Sequence, residues 1–309
     1  MLKNSRARIG AGVIAFAVLG AAAPVAQAPS GAAPDNPSFG PLTVNPLKGN
    51  VYWTHGGTGG NNCNAGFIVG DRGVIVIDAK LNADSARQML DAIATITAKP
   101  VTHVILTHSD GDHVNGLAAF PAGIAIIAHE GTKSELERAA AAGGRGAPPP
   151  AATPTQVVRG GGESLAIDGV KLRLVHVAPA HTSGDLAVFL PDQRILFTGD
   201  LMATTRPEPL VHPEKGGTSD GFVQSYRAMI ALGAETIVTG HGVLVTNADL
   251  QKRMTETEAR RDRVRTLVAQ GRSLEEVRQA LGEPVTVAGP GGRGAVASLT
   301  EIIYRELAK

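Results

Sequence analysis

The sequence predicts a mixed α/β (α+β) domain followed by a helical C-terminal extension. Two observations carry this. Short apolar runs of strand length alternate with helical-period segments as far as about residue 248. Beyond that, the chain carries helix caps and no strand pattern.

The elements follow in order. "NVYWT" (50–54), "AGFIV" (65–69) and "GVIVID" (73–78) read as strands. The glycine-rich "HGGTGGNNCN" joins the first two as a long hairpin loop, and "DRG" makes the next turn. A continuous apolar run such as "VIVI" suits a strand buried on both faces. From Asn82 to about Thr97 the period becomes helical, with Ala86, Met89, Leu90 and Ile93 on one face and Asn82 as cap. Pro100 closes that helix. Strands return as "VTHVILT" (101–107) and "GIAIIAH" (123–129), and a short helix follows around 131–142. "GGRGAPPPAATP" (143–154) reads as a loop or lid. Further strands are "VKLRLVHV" (170–177), "LAVFL" (186–190), "RILFTG" (194–199) and "TIVTG" (236–240), with a helix near 220–232. In the extension, Ser273 with Glu276 and Ser298 with Glu301 fit S-x-x-E capping boxes, and Gly282 suits a helix end.

The 309 residues are 43% hydrophobic, enough for a substantial core, and the net charge is +1. No basic field points to nucleic acid, and aromatics at 4% are too sparse for base stacking. Lys3, Arg6 and Arg8 precede an uncharged apolar stretch that ends at Ala26-Gln27-Ala28. This is the pattern of a cleaved signal peptide over 1–28, with an uncleaved anchor as the alternative. Export to the periplasm or beyond is therefore expected, with no transmembrane segment left after cleavage. Residues 29–44 read as a Pro/Ser/Gly linker, 45–248 as the main domain, and 249–309 as a helical extension packing on it. Cys63 is the only cysteine, which excludes an internal disulfide, and it reads as a small buried hydrophobe.

The chemistry gathers in "VTHVILTHSDGDHVNG", where His108, Asp110, Asp112 and His113 fall within six residues at a strand end. Three other strand ends offer His181 in "APAHTSGD", Asp200 in "LFTGD" and His241 in "VTGHG". Imidazole and carboxylate are ligands that catalytic zinc accepts, at about 2.0–2.2 Å. No P-loop, dinucleotide fingerprint or serine triad competes with them.

This ordered set resembles the metallo-β-lactamase superfamily, over roughly residues 45 to 245. The usual H-x-H-x-D-H appears here as His108-x-Asp110-x-Asp112-His113, followed by His181, Asp200 and His241. The resemblance implies a four-layer αββα sandwich with a dinuclear site at one edge. It assigns His108, Asp110 and His181 to one metal and Asp112, His113 and His241 to the other, with Asp200 bridging. The ions it implies are zinc, with manganese or iron(II) accepted.

It also implies hydrolysis by a metal-bridging hydroxide, with Asp112 orienting it, on a small-molecule ester, lactone, thioester or lactam. The H-x-D-x-D-H variant is similar to phosphodiester-cleaving members, which keeps a phosphodiesterase open. A β-lactamase proper, a diiron oxidoreductase and a metal-binding scaffold without catalysis complete the alternatives. Residues 250–309 are too few for the flavodoxin-like domain the oxidoreductase would need. His55, His212 and Arg206 are candidates for the substrate groove, while His103, His129 and His176 read as surface or core. Asp110 stands where most members have histidine. Its added negative charge should weaken the Lewis acidity of that metal and raise the pKa of its water. It should also shift preference toward manganese, with a mildly alkaline optimum. Oligomeric state leaves no signal in the sequence.

Overall fold

The strand β4, Val74–Ile77, shows how the layers arise. Its four residues alternate between two cores. Val74 and Val76 pack with Met89 and Ile93 of the helix α1, Ala83–Ile96. Ile75 and Ile77 pack with Leu172, Val188 and Phe197 of a second sheet. A strand covered on both faces needs no polar alternation, and here the sequence has none.

A computed structural model describes residues 37–144, 147–283 and 297–308. The expected signal peptide, residues 1–28, and residues 29–36 of the expected linker lie outside the described residues.

The first sheet has seven strands in chain order: β1 (Thr43–Pro46), β2 (Val51–His55), β3 (Ala65–Val69), β4, β5 (Val101–Ile105), β6 (Ala125–His129) and β7 (Gln156–Val158). Pairing is antiparallel from β1 to β4 and parallel from β4 to β7. The second sheet has the order β12-β11-β10-β9-β8. Its strands are β8 (Gly162–Ile167), β9 (Val170–Val175), β10 (Ala187–Leu190), β11 (Ile195–Phe197) and β12 (Thr236–Val238). One core lies between the sheets. A second lies under α1, the short helix α2 (Gly111–Val114) and α3 (Glu130–Ala142). A third joins the second sheet to α4 (Ser219–Ala231), α5 (Asn247–Ala269), α6 (Leu274–Ala280) and α7 (Leu299–Leu307). The result is the αββα sandwich.

The capping reads well. The Asn82 side chain accepts from the amides of Asp84 and Ser85, both at 2.9 Å. Ser273 and Glu276 close a reciprocal box, and Gly282 takes φ +69 just past α6. Ser298 accepts from the Glu301 amide at 3.2 Å, but the Glu301 carboxylate pairs with Arg278 and Arg305 instead of returning to the cap.

Three strands escape the sequence reading. β1 lies partly in the expected linker, and Ser38 and Gly40 accept backbone bonds from Asn62 and Gly57, each at 2.9 Å. Residues 37–44 are therefore part of the sandwich edge and not a linker. Pro46 is tolerated because β1 is an edge strand. β7 has three residues, and β8 is mostly exposed, so neither shows apolar periodicity. The helix α5 runs across the expected boundary at 248/249, and Leu250 and Val264 bury in the same core as Phe222. Within 143–154, residues 145–146 lie outside the described residues. Pro150–Ala152 forms a single tight turn with Ala152 buried, so this part packs down.

A fully buried lysine, Lys80, ties the β2–β3 loop to the sandwich. Its ammonium donates to the carbonyls of Cys63 at 2.8 Å, Gly56 at 3.2 Å and Thr54 at 3.4 Å. Burial pushes its pKa down from 10.5 to about 8. Between those values the unfolded chain holds a proton that the folded protein has lost, so folding stability rises with pH there. Relative to Lys80→Met, the parent should gain about 2 kcal/mol between a pH of about 8 and about 10. Urea unfolding of both proteins at the two pH values measures this. A stability difference that stays constant with pH would show that Lys80 titrates normally.

Candidate metal centre

All seven predicted ligands come together at the edge formed by the C-terminal ends of the strands. His108 follows β5, and Asp110 sits at the start of α2, which carries Asp112 and His113. His181 lies in the β9–β10 loop. Asp200 sits in a tight turn, Gly199–Leu201, after β11, and His241 follows β12. Ligand-capable atoms of His108, Asp110 and His181 lie within 4.8 Å of one another, as do those of Asp112, His113 and His241. A third such group joins His108, His113 and Asp200.

The carboxylate of Asp200 spans the two halves. Oδ2 lies 3.8 Å from His181 Nε2 on one side. Oδ1 lies 3.3 Å from His113 Nε2 and 3.6 Å from His241 Nε2 on the other. Gly240 makes room for this, since a Cβ there would stand 2.0 Å from Asp200 Oδ1. On Asp112, Oδ2 is 2.9 Å from His241 Nε2 and 4.0 Å from His113 Nε2.

Each imidazole turns Nε2 inward because its Nδ1 is held outside. His113 Nδ1 meets Asp78 Oδ2 at 2.8 Å, and a carboxylate only accepts, so the proton sits on Nδ1. Thr107 Oγ1 donates to Asp78 Oδ2 at 2.8 Å, which leaves it to accept from His108 Nδ1 at 2.9 Å. His181 Nδ1 donates to the Leu210 carbonyl at 2.7 Å. His241 Nδ1 meets Ser38 Oγ at 3.2 Å. This is the arrangement that orients metal-binding histidines and raises their basicity.

The donor set fits a pair of cations. His108 Nε2, His113 Nε2 and Asp200 Oδ1 are buried and make no hydrogen bond among the described residues. Such orphaned atoms are costly unless something binds them. Burial works to lower the pKa of His181, but the Asp110 and Asp200 carboxylates overcome it and raise the value to about 9. His113 is likewise raised, against its burial, by Asp78 and Asp200 among others. Burial alone would raise Asp110 and Asp200, yet the surrounding imidazoles hold both well below the usual carboxylate range. The cluster therefore attracts positive charge, which protons or metal ions can supply in competition.

Asp110, Asp112, Asp200 and His241 open onto a cavity of about 450 Å³. Arg206 lines it, as do Phe39, Tyr226 and Arg253. His212 sits beside the ligands, its Nε2 3.5 Å from Asp110 Oδ2. His55 does not line this cavity. Its Nδ1 faces the Pro37 carbonyl at 3.3 Å, and its ring tilts against Trp53. Cys63 is buried in the core under α1 and lies outside the ligand groups.

Sequence reasoning missed Asp78, Thr107, Ser38 and Lys215. Asp78 had a signal, a carboxylate directly after a fully buried strand on the same sheet edge. Lys215 had none in its exposed-looking "HPEKGG".

The sandwich and the two-lobed His/Asp cluster define an αββα protein with metal-capable side chains gathered at one sheet edge. The chain belongs to the metallo-beta-lactamase superfamily, whose pattern matches residues 58–241. It is 29% identical over 202 residues to the 2,4-dinitroanisole O-demethylase subunit alpha of Nocardioides sp., covering 65% of this chain and 57% of that one. It is 29% identical over 188 residues to a hydroxyacylglutathione hydrolase of Rhizobium meliloti, covering 60% and 64%. Among solved structures, a metallo-beta-lactamase from Pontibacter korlensis superimposes with a TM-score of 0.60 at 20% identity, covering 70% of this chain and 99% of that one. An inverting sec-alkylsulfatase from Pseudomonas sp. gives 0.63 at 18% identity, covering 86% and 50%. At these identities the structural likeness concerns the fold. The chain spans 57%, 60% and 64% of three curated relatives it matches.

Proposed function

We propose that the protein is an exported, dinuclear metal-dependent hydrolase that cleaves a thioester or ester bond, with lactones and lactams as related targets. The observation that carries this is the division of the Asp200 oxygens between the two ligand groups. His108, Asp110 and His181 would hold one divalent ion, and Asp112, His113 and His241 the other, zinc first and manganese or iron(II) as alternatives. When bound, such a pair supplies a water acidified to a pKa near ~7 and polarises the bond under attack.

The chain's own residues do the rest. Asp78, Thr107 and the Leu210 carbonyl keep three imidazoles in one tautomer. Asp112, which lines the cavity, orients the attacking water and accepts its proton. The cavity has the size of a small-molecule site. Arg206 and His212 stand where they would meet a substrate. Support for a thioester or ester comes from relatives named as a hydroxyacylglutathione hydrolase and an atrochrysone carboxyl ACP thioesterase. Support for export comes from the pattern of residues 1–28.

A hydrolysis panel on the zinc-loaded protein lacking residues 1–28 tests the reading. It spans a thioester, a lactone, nitrocefin, an alkyl sulfate and a bis-aryl phosphodiester. Thioester or ester turnover well above the others is the expected result. Exclusive turnover of the phosphodiester or the sulfate would replace this substrate class, and no turnover of any would remove the hydrolase reading. Mass spectrometry of the full chain recovered from the periplasm should give a start at Pro29, and an intact N-terminus in the membrane fraction would contradict export.

A further inference from the structure

The carboxylate of Asp110 is shared between two directions. Oδ2 faces the ligand group, 3.2 Å from His181 Nε2 and 3.9 Å from His108 Nε2. Oδ1 meets the ammonium of Lys215 at 2.5 Å. Among the described residues Lys215 pairs with Asp110, while neighbouring Glu214 pairs with His212.

The backbone fixes the lysine relative to the site. Lys215 ends the tight turn Pro213–Lys215, and its amide donates to the His212 carbonyl at 2.9 Å. The His212 amide donates in turn to the carbonyl of His181 at 2.9 Å. The Gly217 amide also reaches the His212 carbonyl, at 3.0 Å. The segment that carries Lys215 is thus hydrogen-bonded to the backbone of a ligand residue.

We infer that Lys215 is a positioning residue that holds Asp110 to one-oxygen ligation and offsets its negative charge. The inference rests on the dinuclear reading above. A charge-assisted contact on one oxygen leaves the other to face an ion, and it fixes the plane of the carboxylate. With Lys215 counted, the half formed by His108, Asp110 and His181 carries the formal charge of an all-histidine half. The expectation from the sequence, that Asp110 weakens the Lewis acidity of its metal, assumed an uncompensated anion. Lys215 supplies the compensation. The aspartate is one member of a charge pair, and replacing it alone leaves a lysine facing a dication.

The test is a double-mutant cycle read by metal binding. Zinc is titrated against a chelator into the parent, Lys215→Met, Lys215→Arg, Asp110→His and the double variant Asp110→His/Lys215→Met. Cobalt(II) spectra are recorded on the same proteins, and melting curves confirm that each is folded. Asp110→His should bind one of its two ions about ten-fold more weakly than the parent, because an unpaired lysine then faces the dication, and adding Lys215→Met should restore about ten-fold. Lys215→Met alone should bind that ion about ten-fold more tightly, because the Asp110 charge is then no longer offset, and should change the cobalt spectrum of one ion, while Lys215→Arg should match the parent. Equal affinities for Asp110→His and the double variant would overturn the inference while leaving the dinuclear reading intact. A parent that binds fewer than two ions would overturn both.

Discussion

Asp200→Ala is expected to lose one or both ions and at least about a thousand-fold in hydrolytic rate, the largest single effect at the site. Among the described residues Asp200 is the carboxylate whose two oxygens face both groups, Oδ2 toward His181 and Oδ1 toward His113 and His241. Removing it takes a negative charge from between two dications and leaves four imidazoles with two carboxylates to hold them. Several kcal/mol of transition-state stabilisation depend on the ions being paired, and each decade of rate is about 1.4 kcal/mol. The fold should survive, because alanine is smaller than aspartate and fits the space that Gly240 leaves open. Metal content by mass spectrometry, together with kcat on the best substrate of the panel, measures both effects. An active variant that retains two ions would show that Asp200 bridges nothing.

Asp78→Asn should weaken metal binding by about 10–100-fold without touching a ligand. Asp78 is almost fully buried and accepts three hydrogen bonds, from His113 Nδ1, the Thr107 hydroxyl and the Thr107 amide, each at 2.8 Å. Its φ of +60 falls in the left-handed region, which asparagine tolerates better than most residues. Asparagine therefore keeps the shape and removes the charge. His113 loses its anionic partner and becomes a poorer donor, and Thr107 loses the acceptor that turns its own oxygen toward His108. The ion held with His113 should be affected first. Zinc affinity measured by chelator competition reads the effect. An unchanged affinity would mean that the carboxylate serves folding and not the site.

Much of the architecture could be read from the chain because its central strands are buried on both faces. Runs such as "VIVI" and "AVFL" carry no polar residue, and each strand that an apolar run announces falls within about two residues of that run at either end. The ligands were legible for a related reason. A histidine or aspartate a few residues past the C-terminal end of a buried strand, as His108, Asp200 and His241 are, has few places to go except the sheet edge.

What escaped depends on partners far away in sequence. Lys215 meets Asp110 from 105 residues away, and nothing local in its turn announces the contact. Ser38 and Gly40 belong to a stretch with linker composition, yet the backbone of the Gly-rich loop holds them in place. The edge strand β8 lacks apolar periodicity, although its hairpin did carry a signal. Asp168 and Gly169 take φ +52 and +80, the two left-handed positions of a tight Asp-Gly hairpin turn. The Asp168 side chain then accepts from the amides of Arg72 and Gly73 at 2.8 and 2.6 Å, joining the turns of the two sheets.

The central claim is that seven side chains from four strand ends hold two ions with Asp200 between them. Anomalous diffraction from zinc-loaded crystals tests it most directly. The account predicts two peaks about 3.5–4 Å apart, one against His108, Asp110 and His181 and the other against Asp112, His113 and His241, both within bonding distance of Asp200. A single peak, or two peaks that do not share Asp200, would contradict it.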